Sequence, residues 1–322
     1  MNGNDPAVAV RALEKKFGNF TAVNKIDFQV DPGEIFGFLG PNGAGKSTTI
    51  RMLCGILMPT SGAGTVAGFD ILRQQEKIKE NIGYMSQKFS LYEDLTVEEN
   101  IDFYSGIYKL PPEKKKERKE WIIKMAGIEE LRGNFTKTLS GGWKQRLALG
   151  CAIVHEPKII FLDEPTSGVD PMARRDFWAL IRQMARSGVT VFVTTHYMDE
   201  AENCDRAALI YKGAIISMGT PGQMKAQCLR EEILEISVDN PQDWLEPVSG
   251  ISQVREAALF GATLHAASAD PGQAAAMISA LFNRSGVKDF RINKIQPSLE
   301  DAFVSLIESY DKKGAVCELK KA

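Results

Sequence analysis

No run of apolar residues in this chain approaches the roughly 20 needed to cross a bilayer as a helix, so any membrane role would come through a partner. Met1, Asn2, Gly3, Asn4, Asp5 and Pro6 contain no basic region followed by an apolar stretch, which predicts that no secretory leader is present. The five cysteines, Cys54, Cys151, Cys204, Cys228 and Cys317, are scattered and include no Cys-x-x-Cys pair. That pattern excludes a disulfide framework or a cysteine zinc site and predicts a reducing compartment. An excess of one charge is also missing. The 39 Lys and Arg residues against 41 Asp and Glu leave a net charge of -2, without the basic surplus of nucleic-acid binders. Internal repeats and low-complexity tracts are absent. What remains is an ordinary globular composition, 44% hydrophobic and 25% charged over 322 residues, enough for one large domain and a smaller one.

The most informative stretch begins with the apolar run Ile35, Phe36, Gly37, Phe38, Leu39, a short strand. It passes into Gly40, Pro41, Asn42, Gly43, Ala44, Gly45, Lys46, Ser47 and Thr48, which fit the phosphate-loop spacing G-x-x-x-x-G-K-[ST]. Glycines let the backbone curl so that several N–H groups face one point, and the helix that follows adds the positive end of its dipole. Lys46 suits the outer phosphates, and the Ser47 hydroxyl suits a magnesium ion.

Three further segments carry the same kind of chemistry. Ser140, Gly141 and Gly142 open an apolar helix, which reads either as a simple capped helix or as a second anion-binding helix start. Ile159, Ile160, Phe161 and Leu162 lead into Asp163 and Glu164, a buried parallel strand delivering two carboxylates at its C-terminal tip, the edge where open α/β sheets bind ligands. Asp163 suits a magnesium site and Glu164 a general base. Residues 189–195 form a similar strand ending in His196, which suits either a structural role or sensing of a terminal phosphate, the strand-end position favouring the latter. Gln87 ends a shorter strand over residues 82–87, and Phe17 suits either a core position or a platform for an adenine ring.

Around these segments the patterns predict an edge strand over residues 7–13, a strand over 22–30 and a helix over 48–57. Thr96 and Glu99 predict a capping box ahead of a helix reaching residue 107. The charged run over 113–126 reads as the solvated face of a helix. Residues 88–139 show no strand pattern and read as a helical lobe inserted into an α/β core. Beyond residue 222, strands over 232–238, 253–256, 262–266 and 290–294 with helices over 272–285 and 298–310 suggest a small α+β unit.

Taken together, residues 8–223 resemble the ATP-binding subunit of ABC transporters. Gly40 through Thr48 resemble its Walker A loop, Gln87 its Q-loop, and residues 139–146 its signature. Residues 159–163 resemble Walker B, Glu164 the catalytic glutamate, residues 167–170 the D-loop and His196 the switch histidine. Trp143 departs from the signature, which usually has glutamine there. The resemblance implies an α/β fold, a P-loop NTPase core of the ABC ATPase type over 7–223. This core would have an antiparallel β subdomain and a helical subdomain at about 88–158, followed by a small C-terminal α+β domain (228–310) and a disordered tail (311–322).

It further implies ATP and Mg2+ as cofactors. Phe17 would stack on adenine, and Gly40 to Thr48 would cradle the phosphates. Ser140, Gly141, Gly142 and Asp170 would complete the nucleotide pocket, and Ser47, Gln87 and Asp163 would surround the metal. Glu164 would polarise water, with His196 and Gln87 as the other catalytic groups. The partners implied are a second copy in a head-to-tail dimer, a membrane permease and a membrane-fusion adaptor, with no nucleic acid. The place implied is cytoplasmic, on the inner face of the cell membrane. The sequence around residues 141–146, 86–90 and 297–301 is similar to bacterial multidrug-exporter ATPases of the drug-resistance and sodium-extrusion type. The rival reading, an ABC-type ATPase working on ribosomes or nucleic acid, usually goes with paired ATPase units or a long coiled coil, and this sequence has neither.

Overall fold

The computed structural model describes residues 5–228, 232–295 and 298–313, and the chain divides into two compact units, 1–218 and 219–322. The first unit runs β1 (Val8–Phe17), β2 (Phe20–Val30), β3 (Ile35–Leu39), α1 (Lys46–Leu53), β4 (Ser61–Val66), β5 (Phe69–Asp70), α2 (Gln75–Asn81) and β6 (Ile82–Met85). It continues through α3 (Val97–Ile107), α4 (Pro112–Ala126), α5 (Gly141–Ala152), β7 (Ile159–Asp163), α6 (Pro171–Arg186), β8 (Thr190–Thr195), β9 (Arg206–Tyr211) and β10 (Ala214–Gly219). Two sheets result: a four-stranded antiparallel one in the order β2-β1-β4-β5, and a six-stranded one in the order β10-β9-β3-β8-β7-β6. In the larger sheet β9, β3, β8, β7 and β6 are parallel.

Strands β3, β7 and β8 are buried at every residue, as continuous apolar runs are when both faces of a parallel sheet are covered. On one face, Phe28 of β2 meets Phe36, Phe38 and Phe192 at ring-centroid separations of 5.7, 5.6 and 5.9 Å. On the other, Leu149, Phe177, Trp178 and Ile181 from α5 and α6 cover Ile160, Leu162, Val191 and Val193. The alternation over residues 7–13 suggested an edge strand, but β1 lies between β2 and β4. Alternation reports burial of one face only, and a central strand of a half-covered antiparallel sheet shows it too.

The lobe formed by α3, α4 and α5 has its own core around Ile101, Ile122, Ile123 and Leu147. The capping box is present: Glu99 N–H donates to Thr96 Oγ1 at 3.2 Å, and Thr96 N–H donates to Glu99 Oε2 at 2.8 Å. Among the basic residues of α4, Lys119 pairs with Asp102 at 3.1 Å and Arg118 with Glu156 at 3.3 Å.

The second unit holds α7 (Pro221–Cys228), β11 (Glu232–Val238), α8 (Pro241–Ser249), β12 (Glu256–Phe260), β13 (Thr263–Ser268), α9 (Pro271–Arg284), β14 (Phe290–Ile295) and α10 (Leu299–Lys313). Its sheet is antiparallel, in the order β12-β13-β11-β14. Val248, Ala274, Ile278 and Phe282 pack on Leu234, Ile236 and Leu264. Helices α7 and α8 are additions to the sequence reading, and β12 starts where the strand over 253–256 was expected to end. Of the expected disordered tail, residues 314–322 lie outside the described residues. No helix among the described residues is long and apolar enough to cross a membrane.

Candidate active site

Parallel pairing brings the sequence-predicted groups to one edge of the larger sheet. Leu39 is opposite Thr195, Asp163 opposite Thr194 and Met85 opposite Leu162. The residues that follow these strand ends, Gly40, His196, Glu164 and Gln87, therefore emerge side by side. At Gly40 an added Cβ would stand 2.3 Å from Ile210 O, and at Gly45 (φ +112) 2.5 Å from Ala22 O. Neither position admits a side chain without backbone movement, and the backbone at Gly45 favours glycine.

Lys46 is 4% exposed and turned back over the loop. Its Nζ donates to Gly40 O at 2.7 Å and Pro41 O at 3.1 Å, and lies 3.1 Å from Glu164 Oε1. The other carboxylate oxygen of Glu164 accepts from Gln87 Nε2 at 3.1 Å and lies 3.2 Å from His196 Nδ1. Glu164 adopts φ +48, a region L-residues rarely occupy, and is held there from its own backbone. Its N–H donates to both Thr194 O at 3.1 Å and Thr194 Oγ1 at 3.0 Å. The same Thr194 hydroxyl donates to Asp163 Oδ1 at 2.7 Å, which also accepts from Ser47 Oγ at 3.0 Å. Burial pushes the Asp163 carboxyl above its ordinary range, against the two hydroxyl hydrogen bonds. A buried anion with too little compensation is a site that gains by meeting a cation.

The other expected residues sit around this centre. The β1–β2 hairpin approaches the loop through Ala22, and Phe17 stands at its tip, half exposed, with Lys15 Nζ 5.1 Å above its ring. Ser140 is the exposed N-cap of α5, and its hydroxyl makes no capping bond. Gly141 has open space where a side chain would be, while a Cβ at Gly142 would meet Ala173 Cβ at 3.0 Å. Asp170 caps α6, its Oδ1 accepting from Met172 N–H at 3.1 Å and Ala173 N–H at 2.9 Å. Among the described residues, no hydrogen bond or ion pair joins Ser140, Gly141, Gly142 or Asp170 to the phosphate loop of the same chain. Trp143 packs at the margin of the lobe core, with the Arg146 guanidinium 5.0 Å from its ring centroid.

Two groups escaped the sequence reading. Thr194 sits inside an apolar strand where a threonine reads as β-propensity, and only the register shows that it faces Asp163. Gln145 reads as one more polar residue of a capped helix, yet it is fully buried.

The sequence profile of the ABC transporter family matches residues 23–167. The probable multidrug ABC transporter ATP-binding protein YbhF of Escherichia coli is 51% identical over 228 residues, 71% of this chain and 39% of that protein. The chain thus spans about two fifths of that relative's length. The daunorubicin/doxorubicin resistance ATP-binding protein DrrA of Streptomyces peucetius is 34% identical over 310 residues, 93% of this chain and 92% of the relative. The ATP-binding cassette MJ0796, solved as a dimer in a post-hydrolysis state with ADP and Pi, superposes with a TM-score of 0.60 at 26% identity, over 66% of this chain and 98% of that one. With fold, strand-end chemistry and these likenesses in agreement, the chain belongs to the ABC transporter family, among its ATP-binding proteins.

Proposed function

We propose that the chain is an ATPase subunit that powers export of drug-like small molecules through a separate membrane permease. The observation that carries this reading is the convergence of Lys46, Gln87 and His196 on the two oxygens of one strained, buried carboxylate, Glu164. A γ-phosphate entering the loop competes for the Lys46 ammonium. Once Lys46 turns to phosphate, Glu164 keeps Gln87 and His196 as partners and has an oxygen free to take a proton from water. The loop N–H groups and the start of α1 hold the phosphates, and Phe17 stacks on the base.

The donor set fits magnesium. Ser47 and Asp163 share a hydrogen bond and are hard oxygen ligands, and Asp163 is a buried carboxylate short of compensation. Ser47, Asp163 and Gln87 would hold the ion, which when bound would offset negative charge on the phosphates.

Ser140, Gly141 and Gly142 present an unused helix start and hydroxyl, and Asp170 stands near them at the head of α6. A second copy in head-to-tail arrangement gives these groups a nucleotide to bind, and the dimeric cassette with ADP and Pi supports that arrangement. The names of YbhF and DrrA support a drug-type cargo. Attachment to a permease places the subunit at the inner membrane face, with a membrane-fusion adaptor as a further partner. Glu164→Gln tests the reading: ATP binding should persist, turnover should fall by about 10²–10⁴-fold, and an ATP-dependent dimer should accumulate in size-exclusion runs. Phosphate release at the parental rate would reject Glu164 as the base.

A further inference from the structure

Gln145 joins the start of the signature helix to the segment that carries the base. It lies one turn beyond Gly141 on α5 and is fully buried. Its Nε2 donates to Pro165 O at 2.6 Å, while its Oε1 is buried without a partner. A methionine or leucine here would remove the orphaned Oε1 but leave Pro165 O without this donor and lose one hydrogen bond, so stability alone asks little of a glutamine. The consequence of this side chain is therefore positional.

The residue it grips follows Glu164 directly. Ser167 N–H returns to Glu164 O at 3.2 Å, and Val169 N–H to Thr166 O at 3.2 Å, closing a compact turn. From the far side, Thr166 Oγ1 donates to Glu200 Oε1 at 2.5 Å. Glu200 is 1% exposed, lies 3.6 Å from Arg174 Nε, and sits in the turn that follows His196. Residues 164–170 are thus held between α5 and the histidine's own loop. The head of α5 is in turn tied to α6 by the Gly142–Ala173 approach and by Arg146, which pairs with Asp176 at 2.8 Å. A helix moves as a rod over one turn. A displacement at Ser140, Gly141 and Gly142 therefore reaches Pro165 through Gln145, and Glu164 lies one peptide away in a strained conformation that small shifts alter.

We infer that Gln145 is a positioning residue that transmits contact at the exposed head of α5 to Glu164 of the same chain. Resting on the dimer proposed above, this makes the two nucleotide sites cooperative. Nucleotide held by one protomer's loop presses on its partner's α5, and that partner's base is set in response.

Gln145→Met and Gln145→Leu in the full-length chain test this. Both should melt within about 3 °C of the parent, and ATP affinity measured on monomer at low protein concentration should stay within about twofold. Turnover should fall about tenfold in kcat with little change in KM, and the Hill coefficient for ATP should drop from near 2 toward 1. A purely structural residue would move the melting temperature and leave the Hill coefficient alone. Parental kcat and cooperativity in either variant, or loss of folding in both, overturns the inference. A parent that turns over non-cooperatively as a strict monomer overturns the dimer reading and this inference with it.

Discussion

At the scale of single residues, the candidate site was legible because each of its groups announces itself locally. A glycine-rich loop ahead of a lysine, two acids at the end of an apolar run and a histidine at the end of another need no tertiary information. Thr194 was not legible, because its importance comes from register alone: its one hydroxyl donates to Asp163 Oδ1 at 2.7 Å and accepts from Glu164 N–H at 3.0 Å. Thr194→Val keeps the shape and removes both bonds. It should destabilise the chain by about 1–3 kcal/mol, since a fully buried carboxylate and amide lose a partner, and lower kcat by misplacing Glu164, the proposed base. Urea unfolding and phosphate release measure the two effects. A variant with parental kcat would show that the strained Glu164 backbone is held by Thr194 O alone.

At the scale of elements, sequence signals worked where they report local hydrogen bonding and failed where packing decides. The capping box of α3 was readable from Thr96 and Glu99, and both of its bonds are present. Helix α8 was not, since it starts from a left-handed Asn240 and contains Pro247, two features that locally argue against a helix. It forms because Val248 and its neighbours cover the second sheet. Helix α10 shows both behaviours. Ser298 was expected as a cap, and its hydroxyl accepts from Asp301 N–H at 3.1 Å. Asp301 also takes His265 Nδ1 at 2.6 Å, a contact from β13 that no local pattern reveals. Burial pushes the Asp301 carboxyl up, but the bonds from His265 and Ser298 outweigh it and hold the group below its usual range. A carboxyl depressed on folding contributes stability that is present above the unfolded value of about 3.9 and is lost as pH falls through the folded one. Asp301→Ala should therefore lower the melting temperature of the second unit by about 4 °C at pH 7, with the gap to the parent closing as pH drops below the unfolded value of about 3.9. A gap independent of pH would assign the loss to the helix cap and not to the ionised pair.

At the scale of the whole molecule, the candidate site lies within the first unit. Its three cores, the two flanking the larger sheet and the one inside the helical lobe, draw only on residues up to Ile210 and their partly buried neighbours up to Met218. The last strands of that unit are part of the site's architecture. Strand β9 pairs with β3 beside the phosphate loop, Gly213 N–H donates to Ala44 O at 3.0 Å, and Asn24 N–H donates to Gly213 O at 2.8 Å. Ile210 O is also the atom that forbids a side chain at Gly40. A chain cut after Met218 keeps all of these contacts, whereas a chain cut after Asp205 exposes the edge of β3 and removes the support of the loop. The 1–218 fragment should then melt cooperatively by far-UV circular dichroism and bind ATP within about threefold of the full chain. The 1–205 fragment should aggregate or lose ATP binding. If 1–205 bound ATP as well as 1–218 does, the loop would owe its shape to its own sequence and not to the hairpin that closes the sheet.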